Sequence, residues 1–149
     1  MEPTTVSKPS LQIALARSYL VYFVFSAIGL AADTIFSLGA PTAHGQWIAL
    51  ACFIIGPLII WWAQSTSSVQ SELPYFERGP YRFMRNPTQI GILILVMGYT
   101  AVSGSIAFLA ATAIGYFISD MYFKKYESIL HAQYGEQYQE YKKTVPKIL

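Results

Sequence analysis

The chain has 149 residues, about the length of one domain, and its composition departs from that of soluble domains. Charged residues make up 12% of it, against roughly 25% in a soluble domain, and 54% is apolar, gathered into blocks long enough to cross a bilayer. A net charge of +2, with no basic run interleaved with aromatics, argues against nucleic acid as a partner. The single cysteine, Cys52, excludes an intrachain disulfide and a cysteine-based metal site, and no metal ligand set is expected.

Residues 1–10 are polar, carry two prolines and are expected at the surface. The first apolar block, residues 12–37, reads as a membrane span with Arg17 and Asp33 near its ends, where charged side chains can reach headgroups. A secretory leader is the competing reading, because Lys8 and Arg17 precede an apolar core and Gly39-Ala40-Pro41-Thr42-Ala43 is rich in small residues. The length of the block and a consistent topology for the later spans favour a retained helix. After a Pro/Gly turn at 39–45, residues 46–63 form a second span, with Trp47 at one interface and Trp61 and Trp62 at the other. Gly56-Pro57 within it predicts a kink or a carbonyl left free in mid-membrane.

Residues 64–88 are the longest polar connection. Then follow a short apolar block at 89–102, a turn at Ser103-Gly104-Ser105 and a fourth block at 106–123. Their small residues (Gly98, Ser103, Gly104, Ala107, Ala110, Ala111, Gly115) predict a tightly packed hairpin of the third and fourth helices. Asp120 is spaced to pair with Lys124 one turn on. From residue 124 the chain becomes charged and rich in tyrosine. Ile129, Leu130, Tyr134, Tyr138 and Tyr141 fall at helical spacing, predicting an amphipathic helix over 124–143, bent or broken at Gly135. It is expected on the membrane surface or folded back over the polar loop. The expected fold is all-α, a single domain over 1–149: an integral membrane bundle of four transmembrane helices with a C-terminal cytoplasmic amphipathic helix. Lys8 and Arg17, then Arg78, Arg82 and Arg85, then the lysines of the tail alternate with two loops that lack lysine and arginine. The positive-inside rule therefore puts both termini and the 64–88 connection in the cytoplasm.

That connection ends in Arg78-Gly79-Pro80-Tyr81-Arg82-Phe83-Met84-Arg85-Asn86-Pro87-Thr88-Gln89-Ile90-Gly91. Its prolines predict a turn before Pro80 and a helix start near Pro87. A helix beginning at a membrane surface presents unpaired N–H groups and a positive dipole end, which suit a carboxylate or another anion.

Gly79-Pro80-Tyr81, Arg85-Asn86-Pro87 and Gly91 resemble the Gly-Pro-Tyr…Arg-His-Pro-x-Tyr-x-Gly pattern of the isoprenylcysteine carboxyl methyltransferase family and its phospholipid methyltransferase relatives. Glu127, Leu130, Tyr134-Gly135, Tyr138, Tyr141 and Val145-Pro146 are similar to the same family's C-terminal pattern. The resemblance implies a membrane enzyme transferring a methyl group from S-adenosylmethionine to a lipophilic acceptor that enters from the bilayer, with membrane lipids as neighbours. It assigns Tyr81, Asn86, Pro87, Thr88, Gln89, Tyr126 and Glu127 to the cofactor, and makes Phe76, at the end of segment 73–76, a wall of the pocket. Arg85 would hold an anionic acceptor or the cofactor carboxylate, its bland alternative being a lipid-phosphate contact. Glu127 is either a catalytic and cofactor-binding carboxylate or a solvated tail charge. His131 reads as a surface residue.

Three positions depart from the pattern: Asn86 replaces its histidine, Gln89 its tyrosine and Tyr126 the first of its paired glutamates. Asn86 keeps hydrogen-bonding capacity but gains no charge near neutral pH. These departures motivate a second reading, a non-catalytic membrane scaffold or subunit. A transporter has little support, since the inner spans carry no mid-membrane charge pair or repeated broken helix.

Overall fold

A computed structural model describes residues 8–40, 45–68 and 77–146. The expectations for residues 1–7, for 41–44 of the first turn, and for 73–76 with Phe76 lie outside the described residues. Every regular element among the described residues is helical: α1 (Lys8–Phe36), α2 (Gly45–Ser68), a 3-10 turn (Gly79–Arg82), α3 (Pro87–Ser103), α4 (Ile106–Tyr134) and α5 (Glu136–Thr144). Among the described residues three helices are long and apolar enough to cross a membrane, at Tyr19–Phe36, Gly45–Ser67 and Ile106–Tyr134, and α3 is a shorter apolar helix of 17 residues. Large apolar side chains stand outward on the three long helices, among them Phe23, Trp47, Trp61, Ile106 and Phe117. Lipid tails solvate such surfaces and water does not.

The described helices form two compact units. In the first, residues 1–39 and 105–139, α1 runs along α4. A Cβ on Gly29 would stand 3.0 Å from Ala111 Cβ and Phe108 Cα, and one on Gly115 would stand 2.7 Å from Phe25 Cβ. Tyr22 meets Tyr116 edge-on, ring centroids 6.3 Å apart. Ser105 caps α4, its hydroxyl accepting the Phe108 N–H at 3.1 Å. Asp120 and Lys124 pair at 3.2 Å, as their spacing predicts.

The second unit, residues 40–104 and 140–149, is built on α2 against α3. Here Gly56 and Gly91 bring the two backbones together. A Cβ on either glycine would stand 2.8 Å from the carbonyl oxygen of the other. Gly98 lies against Ala49 and Cys52 in the same interface, which makes Cys52 a packing residue. Helix α2 continues through Pro57, whose missing N–H leaves the Phe53 carbonyl without its usual intrahelical donor. Gly104, at φ 65°, ends α3 by donating its N–H to Thr100 O at 2.8 Å.

Two expectations need correction. Three of the small residues expected to close a hairpin of the third and fourth helices serve other contacts: Gly98 faces α2, and Gly115 and Ala111 face α1. Small side chains mark where backbones approach but do not name the partner. The tail helix expected from residue 124 is not separate, because α4 runs on to Tyr134 and only Gly135 breaks it. The change to polar residues at 124 introduces no helix breaker, so the backbone ladder simply continues. Helix α2 likewise outlasts its apolar run. Ser65 and Thr66 donate to the Trp62 carbonyl and Ser67 to that of Gln64, so these hydroxyls are satisfied within the helix.

Candidate functional site

The polar loop is anchored at Gly79. Its φ of 53° lies in the left-handed region, and a Cβ there would run into the Thr66 side chain of α2. Only glycine therefore lets the 3-10 turn sit down on the end of α2. Pro80, buried, starts the turn, and its carbonyl accepts the N–H groups of both Phe83 and Met84 at 3.1 Å. The side chains of Arg82 and Phe83 face outward, and Tyr81 is half-buried. Tyr141 of α5 donates its hydroxyl to Tyr81 O at 2.7 Å. Tyr141 and Val145 are both buried, so the end of the tail is packed and clasps the loop by its backbone.

Four residues later α3 begins where the two prolines predict, with Asn86 as N-cap and Pro87 in the first turn. Asn86, Pro87, Thr88 and Gln89 are all buried. The Asn86 side chain does not cap the helix. Instead its Nδ2 donates to Gln89 Oε1 at 2.9 Å. Asn86 Oδ1 and Gln89 Nε2 are buried with no protein partner. The first-turn N–H groups of Thr88 and Gln89 have no intrahelical acceptor either, because no residue lies four positions before them inside the helix. The sequence-predicted residues Asn86, Pro87, Thr88 and Gln89 are thus one buried polar cluster at a positive helix end, with half-buried Arg85 directly before it.

Tyr126 and Glu127 lie in the other unit, consecutive on α4. Both are buried, Tyr126 with its ring 5.4 Å from that of Phe123. Glu127, 7% exposed, is not a solvated tail charge. His131, one turn on, is exposed, and its ring nitrogen bonds the Gln139 amide, in keeping with a surface role. Among the described residues no group of three His, Cys, Asp or Glu side chains is arranged to hold a metal ion. Two contributors to the site were not assigned a role in the sequence, Thr66 beneath Gly79 and the hydroxyl of Tyr141 over Tyr81. Thr66 has no local sequence signal, and the pattern that includes Tyr141 does not name the partner of its hydroxyl.

Long apolar helices with outward-facing aliphatic and aromatic side chains, together with a buried polar cluster at the start of α3, point to an integral membrane protein. The comparison with family models makes this specific. The phospholipid methyltransferase model matches residues 44–137, most of the chain, and the protein belongs to that family of integral membrane methyltransferases. No curated protein and no solved structure matches the chain.

Proposed function

We propose that the protein is an S-adenosylmethionine-dependent methyltransferase that works at the cytoplasmic face of a membrane on a lipophilic acceptor bearing a carboxylate, in the manner of isoprenylcysteine carboxyl methylation. The observation that carries the reading is the buried cluster at the start of α3. Asn86 Oδ1 and Gln89 Nε2 are orphaned within the stretch that the phospholipid methyltransferase family model matches, and burial without a partner costs about 1–3 kcal/mol per group. A bound polar cofactor relieves that cost, so these residues fit S-adenosylmethionine.

Asn86, Thr88 and Gln89 would hold the cofactor, with Tyr81 in the loop before them. The resemblance adds Tyr126 and Glu127, whose burial suits a functional carboxylate. Arg85 is the residue assigned to the acceptor's anionic group, through charge-assisted hydrogen bonds. When bound, the cofactor would supply an electrophilic methyl group on a positively charged sulfur, available for transfer to a carboxylate oxygen of the acceptor. A carboxylate acceptor needs no proton removed, so what the chain must supply is positioning and the exclusion of water.

The family's description favours one further reading, methylation of a phospholipid amine. Incubation with methyl-labelled cofactor and either prenylcysteine or phosphatidylethanolamine separates the two. A carboxyl methyl ester releases labelled methanol in base, and a methylated amine does not. Absence of labelled product from both acceptors and from total lipid would favour the scaffold reading. For the cofactor site itself, Glu127→Ala is expected to weaken S-adenosylhomocysteine binding about 10-fold or more, as for a lost hydrogen bond to a charged group. His131→Ala should leave it unchanged. Equal affinities for the two variants, measured by calorimetry in detergent, would remove Glu127 from the site.

A further inference from the structure

Asn86 and Gln89 stand at the N-cap and third helical positions of α3, the spacing of a capping box, in which each side chain normally bonds the other's backbone N–H. Here the two amides bond one another instead. The consequence is one side-chain acceptor and one side-chain donor left open, beside first-turn N–H groups of α3 that have no intrahelical acceptor. The two side chains are 4% and 3% exposed, so bulk water does not serve them freely. Exchanging oxygen and nitrogen in both amides still leaves one donor and one acceptor, so the inventory does not depend on how the amides were oriented.

From this arrangement we infer that the Asn86–Gln89 amide pair reads the α-amino-acid end of the cofactor, and not its adenine. The inference rests on the methyltransferase reading above. A zwitterion offers an acceptor-only carboxylate and a donor-only ammonium side by side. The carboxylate suits Gln89 Nε2 and the positive end of α3, and the ammonium suits Asn86 Oδ1. An adenine edge also presents one donor and one acceptor, but it is neutral and makes no use of the helix dipole. A neutral amide pair also keeps its hydrogen-bonding pattern across the physiological pH range, unlike a histidine in the same place.

Calorimetric titration of the full chain in detergent tests the assignment with three ligands: S-adenosylhomocysteine, 5′-methylthioadenosine, which lacks the amino-acid end, and S-inosylhomocysteine, which alters only the base. In the unsubstituted chain, losing the amino-acid end should weaken binding about 100-fold, two hydrogen bonds to charged groups being lost. In Asn86→Leu and Gln89→Leu that ratio should fall about 10-fold each, while the penalty for the inosine base stays the same. Gln89→Glu keeps the side chain's shape and sets a carboxylate against the ligand's own. It should weaken S-adenosylhomocysteine about 10-fold or more and spare 5′-methylthioadenosine, which shows the site intact even if the leucine variants do not fold. Substitutions that change the inosine penalty and leave the amino-acid ratio alone would overturn the assignment in favour of the base. So would substitutions that change neither ratio, or a Gln89→Glu variant that binds both ligands as the unsubstituted chain does. No saturable binding of S-adenosylhomocysteine by the unsubstituted chain would overturn the methyltransferase reading itself, and this assignment with it.

Discussion

Two single residues fix the loop that precedes the α3 mouth, and each makes a separable prediction. Tyr141 holds the Tyr81 carbonyl through its hydroxyl, and its ring is buried. Tyr141→Phe should therefore keep the packing, lose about 1 kcal/mol of stability and weaken S-adenosylhomocysteine about 3- to 10-fold by loosening the loop. An unchanged affinity in titration would show that the loop's position does not depend on this bond. Gly79 is constrained twice, by its positive φ and by the Thr66 side chain. Gly79→Ala should destabilise by about 1–3 kcal/mol from backbone strain alone, with the clash adding to it. Thr66→Ala removes the two nearest atoms of the clash but not the strain, so the double variant should melt between Gly79→Ala and Thr66→Ala. Full recovery would mean that the backbone conformation costs nothing there.

The helices show what local pattern can and cannot encode. Where α3 starts was legible, because Asn86 and Pro87 act within one turn of chain. Where α4 ends was misplaced, because a switch from apolar to charged residues at Lys124 marks a change of surroundings, whereas Gly135 marks the end of the helix. At 29 residues α4 is about 44 Å long, well beyond a hydrocarbon core of about 30 Å, so part of it extends past that core. Partner choice was the other gap. Gly98 and Gly115 were recognised as contact points, yet which helix each meets is decided by tertiary packing, and the bond from Tyr141 to Tyr81 joins residues 60 apart. Gly91 illustrates the gain from coordinates, since a glycine known from the sequence as part of a motif proves to be half of a helix crossing with Gly56. Each of Gly56→Ala and Gly91→Ala places a methyl 2.8 Å from a backbone oxygen that cannot rotate away. Either should cost about 1–3 kcal/mol in a thermal or denaturant melt, and their effects should be non-additive because they open the same crossing. Strict additivity would place the two glycines in independent contacts.

For the whole molecule the number of membrane crossings turns on α3. Three helices qualify by length and composition, while α3, at 17 residues and about 26 Å, falls short of a hydrocarbon core of about 30 Å. The charges argue that α3 crosses all the same, since Arg78, Arg82 and Arg85 precede it and no lysine or arginine lies between it and α4. Local thinning of the bilayer accommodates a mismatch of this size at a modest cost. The single native cysteine makes the test direct. In a Cys52→Ala background, Glu77→Cys and Ser103→Cys flank α3, while Ser37→Cys and Ser128→Cys follow α1 and lie beyond the apolar part of α4. With an impermeant maleimide applied to intact cells, Ser37→Cys and Ser103→Cys should be labelled, and Glu77→Cys and Ser128→Cys only after permeabilisation. Glu77→Cys and Ser103→Cys labelled from the same side would make α3 a re-entrant or interfacial helix. The mouth at Asn86 would then open within the headgroup region, and an acceptor would have to reach it along the membrane surface and not between spans.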